Sequence, residues 1–184
     1  MRNITSDLRP RPMKIITTPN EILNQPTRKV AKFDESLRRT VREMEEILRN
    51  QRNPEGVGLS ANQVGLDLRL AVVRLNPDEQ DSSAHLLTII NPEITSRLAD
   101  QEGEYEGCLS IPNQYGPVAR SKAVTVRFQD LKGETLTIRA TDFLARIFQH
   151  EIDHLDGKLI TERSTGPFLT ETELEEKFRE KKSG

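Results

Sequence analysis

Asp142-Phe143-Leu144-Ala145-Arg146-Ile147-Phe148-Gln149-His150-Glu151-Ile152-Asp153-His154-Leu155-Asp156-Gly157 is the stretch around which the rest of the chain is organised. Its spacing predicts a helix over 142–156, capped by Thr141 or Asp142 and stopped by Gly157. Phe143, Ile147, His150 and His154 fall on one face, and Phe148, Ile152 and Leu155 on another. A helix apolar on two faces belongs at the centre of a fold. Within it, His150 and His154 are four residues apart, so their rings project one turn from each other and can reach one metal ion. Glu151 sits beside them, placed to move a proton without ligating.

A catalytic metal site normally has three protein ligands and one open position. The pattern that adds a third histidine six residues past the second fails here, because Ile160 occupies that place. Glu173, Glu175 and Glu176 lie in a terminal segment so charged that it suits solvent. Cys108 is the remaining candidate, and as a thiolate it binds zinc or iron well. A lone cysteine is often a small buried hydrophobe. Glu106-Gly107-Cys108-Leu109-Ser110, however, reads as a polar glycine-containing turn, a poor place for a packing residue.

Outward from the helix the elements are shorter. Asp34 opens a helix over 34–50, with Leu37, Val41, Met44, Ile47 and Leu48 at helical spacing and Asn53-Pro54-Glu55-Gly56 as its stop. Strands are expected at Arg69–Leu75 and Leu86–Ile90, flanking a polar loop Asn76–His85, and at Glu93–Ala99 and Val118–Gln129. Glu134–Ala140 should pair back on the last of these across Asp130-Leu131-Lys132-Gly133. Residues 1–13 read as an extended lead-in. Residues 166–184 read as a charged terminal segment, with Thr170 and Glu173 as a capping box opening a solvated helix. The order reads as one α+β domain over 1–184 with an antiparallel sheet.

Composition narrows the function. The chain has 184 residues, 34% apolar and 30% charged, with formal net charge -2, so nothing argues for nucleic-acid or anionic-membrane binding. The single cysteine excludes an intrachain disulfide, and no apolar run resembles a signal peptide or a membrane span, so a cytoplasmic protein is expected.

Three motifs in order make the chain resemble the peptide deformylase family. They are Gly56-Val57-Gly58-Leu59-Ser60-Ala61-Asn62-Gln63, Glu106-Gly107-Cys108-Leu109-Ser110, and Gln149-His150-Glu151-Ile152-Asp153-His154-Leu155. The resemblance implies mixed, mainly antiparallel sheets wrapped around a central metal-binding helix. It implies hydrolytic removal of the formyl group from N-formyl-methionyl nascent polypeptides at the ribosome. The implied metal ligands are Cys108, His150 and His154. Glu151 would be the proton carrier, with the Gln63 side chain and the Leu109 backbone N–H as oxyanion donors. The implied methionine pocket is lined by Val57, Phe143, Arg146 through its stem, Ile147 and His150, with the backbone of Gly58 and Gly107 bonding the substrate. The family usually carries Fe2+, and Zn2+, Ni2+ or Co2+ fit the same ligands. Ser60 stands where the commonest pattern has Ala, a small exchange expected to leave the site undisturbed. The Arg146 head should reach a carboxylate, Glu106 or Glu104, with Asp142 as the alternative. Tyr115 lies where some members carry a basic residue that touches substrate. Two other classes compete: a structural zinc module, which needs a fourth ligand that solvent-facing His85 does not offer, and a metallopeptidase acting on ordinary amides.

Overall fold

The computed structural model describes residues 13–51, 56–75 and 85–183; the expected lead-in, the stop after the first helix and most of the Asn76–His85 loop lie outside them. Helix α1 (Glu35–Asn50) begins where expected, with the Asp34 carboxylate accepting from the Leu37 N–H at 3.1 Å. Its buried stripe is Leu37, Val41, Met44 and Leu48.

Among the described residues seven strands follow: β1 (Gly58–Ser60), β2 (Leu70–Arg74), β3 (Leu86–Arg97), β4 (Gln101–Cys108), β5 (Ile111–Ser121), β6 (Ala123–Gln129) and β7 (Thr135–Thr141). They form a five-stranded sheet in the order β1-β2-β3-β6-β7 and a separate β4-β5 hairpin, every pairing antiparallel. The central helix α2 (Asp142–Leu155) is buried along most of its length and touches both sheets. It ends at Gly157, whose φ of +71° favours a residue without a β-carbon. A short helix α3 (Ile160–Arg163) and the terminal helix α4 (Glu171–Ser183) complete the chain.

β2 explains the layering. Successive strand side chains point to opposite faces. Ala71 and Val73 therefore join Phe148, Ile152 and Leu155 of α2 in one core, while Leu70 and Val72 join Met44 and Leu48 of α1 in another. A strand buried on both faces reads as an unbroken apolar run. The end of α1 is tied to this layer by buried Arg74, which donates to the carbonyls of Leu48 (2.9 Å) and Gly56 (2.6 Å).

Two strand expectations are corrected. Leu86–Ile90 and Glu93–Ala99 are one strand, β3, with a register shift between Ile90 and Glu93. Asn91-Pro92 reads as a break. Asn91 tolerates its φ of +51°, and its amide exchanges bonds with the Val30 backbone and Gln129, so the strand bulges and continues. Val118–Gln129 is instead two strands in different sheets. The backbone of Lys122 bonds to Asp100 and Asp142, outside both ladders, and the chain changes sheet there.

Candidate metal centre and its substrate cavity

Three elements converge on one point. α2 brings His150 and His154, with ring centroids 4.9 Å apart. The end of β4 brings Cys108, whose Sγ lies 3.2 Å from His154 Nε2. The ligand atoms of these three side chains all lie within 4.8 Å of one another. Glu106, Gly107 and Cys108 belong to β4, and only Leu109 and Ser110 form the turn, a refinement of the expected polar turn.

Each site residue is held by a second layer. His150 Nδ1 faces Glu106 Oε2 at 3.0 Å, which leaves Nε2 for the site. Glu106 also accepts two bonds from Arg120, both 2.9 Å, and one from Arg146 Nη1 at 2.7 Å. Arg120 reaches on to Asp153, which Arg163 grips with bonds of 3.0 and 2.6 Å. One network thus crosses β4, β5, α2 and α3. Burial alone would raise the Glu106 carboxyl, but His150 and Arg120 hold it far below the usual carboxylate range.

Gln63 stands in the short 3-10 turn Ala61–Val64. Its Oε1 accepts from the Ser60 N–H at 2.9 Å, so Nε2 is turned toward Ser110 Oγ (3.2 Å) and Cys108 Sγ (3.7 Å). The amide orientation is therefore set, with a donor aimed into the site. The Ser60 hydroxyl donates to the Glu151 carboxylate. The hydroxyl that distinguishes Ser60 from Ala thus touches the expected proton carrier, a contact the sequence did not indicate. Gly58 packs against the same carboxylate. A β-carbon there would come within 2.7 Å of Glu151 Cδ, so any other residue would push that carboxylate from its place.

The electrostatics match the assigned roles. Burial raises the Glu151 carboxyl above its ordinary range, partly offset by the histidines and Ser60. Burial also raises the Cys108 thiol, but His154 and His150 outweigh it and hold the group well below the ordinary thiol range, favouring thiolate. Three donors of this chemistry, converging with no fourth among the described residues, fit a catalytic transition-metal site.

A cavity of about 290 Å³ opens beside the three donors. Val57, Gly58, Gly107, Leu109, Phe143, Arg146 and Ile147, all expected around the substrate, line it, as does Tyr115. Arg146 is no surface arginine. It is buried, and besides Glu106 its guanidinium donates to the carbonyls of Val118 (2.9 Å) and Glu102 (2.8 Å). Glu104 and Asp142 are not among these partners. His85 is exposed. The expected pairing of Arg146 with Glu106 is present, while the contact of Glu106 with His150 and the roles of Arg120, Asp153 and Ser60 were missed. Glu106, Asp153 and Ser60 lie inside quoted motifs, and that was the available signal.

A thiolate and two imidazoles around one point, with a buried high-pKa carboxylate and an oriented amide beside them, define a metallohydrolase. The family model for polypeptide deformylase matches residues 12–167. The chain belongs to the polypeptide deformylase family, whose members are metal-dependent. It is 40% identical to peptide deformylase 1 of Bacillus cereus over 163 residues, covering 89% of this chain and 98% of the relative. To the peptide deformylase of Synechococcus sp. (strain CC9605) it is 39% identical, covering 90% and 80%. The crystal structure of peptide deformylase from Thermotoga maritima superposes with a TM-score of 0.75 at 35% identity, over 84% of this chain and 98% of that one. The enzyme from Synechococcus elongatus, solved in complex with actinonin, gives 0.75 at 35% identity, over 95% and 88%.

Proposed function

We propose that this protein removes the formyl group from the N-terminal formyl-methionine of newly made polypeptides, releasing formate. The observation that carries the reading is the convergence of Cys108, His150 and His154 beside buried Glu151 at the head of an apolar-walled cavity.

A divalent metal on Cys108, His150 and His154 would act as a Lewis acid toward the formyl oxygen and the attacking water. Glu151, with its pKa raised by burial, takes a proton from that water as its oxygen attacks the formyl carbon. It returns the proton to the departing amine as the C–N bond breaks, leaving formate and a free N-terminus. The Gln63 amide and the Leu109 backbone N–H donate to the oxyanion that forms. The methionine side chain enters the cavity between Val57, Phe143, Ile147 and the stem of Arg146, which carries its charge out to Glu106 and two carbonyls. The backbone of Gly58 and Gly107 bonds the peptide strand-fashion.

We assign Fe2+ as the cellular metal on the family resemblance; Zn2+, Ni2+ and Co2+ suit the same donors. The chain works as one catalytic domain on nascent polypeptides at the ribosome, in the cytoplasm. Among the described residues no helix is long and apolar enough to cross a membrane. The test is formate release from formyl-Met-Ala-Ser by metal-loaded protein, with acetyl-Met-Ala-Ser as the control. Turnover of the formyl peptide alone supports deformylation. Equal turnover of both, or of neither, refutes it.

A further inference from the structure

Helix α4 lies beyond the residues matched by the family model. As expected it is solvated, every residue of 171–180 but Leu174 being exposed, and two of its side chains also line the cavity. Leu169 and Tyr115 exchange backbone hydrogen bonds of 2.8 and 2.9 Å, and the Glu171 N–H donates to Asn113 Oδ1 at 3.0 Å. The Thr170–Glu173 box closes the first turn. One side of the helix is then fixed to β4, because Lys177 Nζ donates to the Tyr105 hydroxyl at 2.7 Å and Phe178 meets the Tyr105 ring edge-on at 6.4 Å.

The segment from Glu171 to Ser183 contains two apolar residues, Leu174 and Phe178. Four apart, they share one helix face. Both line the cavity that also touches Cys108, His150 and Glu151. Neither is consumed by packing: Leu174 is half-buried and Phe178 stays 43% exposed. Across the same cavity Phe143, at 45%, is equally open. Exposed aromatic surface continuous with a reaction site calls for an occupant. The occupant that must pass there is the peptide following the methionine. An extended chain advances about 3.3 Å per residue, so its next two residues span roughly the width of one aromatic side chain.

We propose that α4 completes the substrate cleft: Leu174 and Phe178, beside Tyr105 in the cavity lining, form an apolar subsite for a side chain in the two residues after formyl-methionine. The inference rests on the deformylase reading and extends it to sequence preference.

The experiment compares kcat/KM of the metal-loaded full chain on formyl-Met-Ala-Ser, formyl-Met-Phe-Ser and formyl-Met-Ala-Phe. At least one aromatic peptide should be favoured by roughly three- to tenfold, less than a fully enclosing pocket yields. The double variant Leu174→Ser, Phe178→Ser should bring the ratio of kcat/KM for the favoured aromatic peptide over formyl-Met-Ala-Ser down to about one. Phe178→Leu, which keeps an apolar face, should retain part of the advantage and serves should the double variant not fold. Equal turnover of the three peptides by wild type removes the subsite and leaves deformylation standing. An equal fall on all three in the variants shows a structural role only and also overturns the proposal. No turnover of even formyl-Met-Ala-Ser by wild type defeats the deformylase reading, and the subsite with it.

Discussion

His150 Nδ1 lies 3.0 Å from Glu106 Oε2, so a candidate ligand on α2 is oriented by a carboxylate on β4, 44 residues away in sequence. That carboxylate is buried and also holds Arg120 and Arg146. Glu106→Ala should therefore cost about 3–5 kcal/mol of stability, since breaking a buried ion pair leaves charge uncompensated. It should also weaken metal binding about 10–100-fold, the usual effect of losing a ligand's outer partner. Denaturant titration and competitive metal titration measure the two. Unchanged metal affinity would show that Glu106 serves the fold alone.

Glu151→Gln should keep the metal and lose about 10²–10⁴-fold in turnover, the range for a proton-transfer group. Metal content by elemental analysis beside kcat separates this from ligand loss. A variant with near-wild-type kcat would place the proton carrier elsewhere.

Ser60→Ala tests the hydroxyl on the Glu151 carboxylate. A hydrogen bond to the charged form lowers a carboxyl pKa, and Ser60 opposes the rise that burial imposes. Without it the Glu151 pKa rises further, so the acid limb of kcat/KM should move to higher pH. The pH–rate profiles of wild type and variant decide it. A limb that stays or moves down would detach Ser60 from the proton carrier.

Metal loading should raise Tm in a concentration-dependent way, by mass action on the folded state. Cys108→Ser should sharply reduce that rise, because a hydroxyl is a poor replacement for thiolate at a transition metal. Differential scanning calorimetry of stripped protein with added Zn2+ reads both. An identical rise in the variant would remove Cys108 from the ligand set.

The helices and the triad were legible because each leaves a local trace. α1 and α2 carry apolar residues at helical spacing, and the chain has one cysteine and three histidines to distribute. The β4-β5 hairpin left none: Gln101–Glu104 are exposed on successive positions, so no alternation of apolar and polar residues marks β4. The switch of sheet at Lys122 is equally silent, since valine and alanine recur on both sides of it and the break lies only in where the backbone bonds go. Ser60 was read as a motif letter, and Glu106 as a partner for Arg146 but not for His150. Their work depends on contacts with α2, which spacing along the chain does not report. In α4 the count of charges hid the placement of two apolar residues on one face.

The two oxygens of Glu106 face different tasks. Oε1 receives Arg146, which lines the cavity, and Oε2 receives His150. Pocket shape and metal retention are thereby wired to a single side chain. Trimming Arg146 to admit a bulkier first residue would leave Oε1 of Glu106 held by Arg120 alone and unsettle the carboxylate whose other oxygen faces the histidine. A lineage, or an engineer, changing what this cleft accepts has to renegotiate the metal at the same time, and drift in substrate preference at this wall should come paired with exchanges at position 106 or 120.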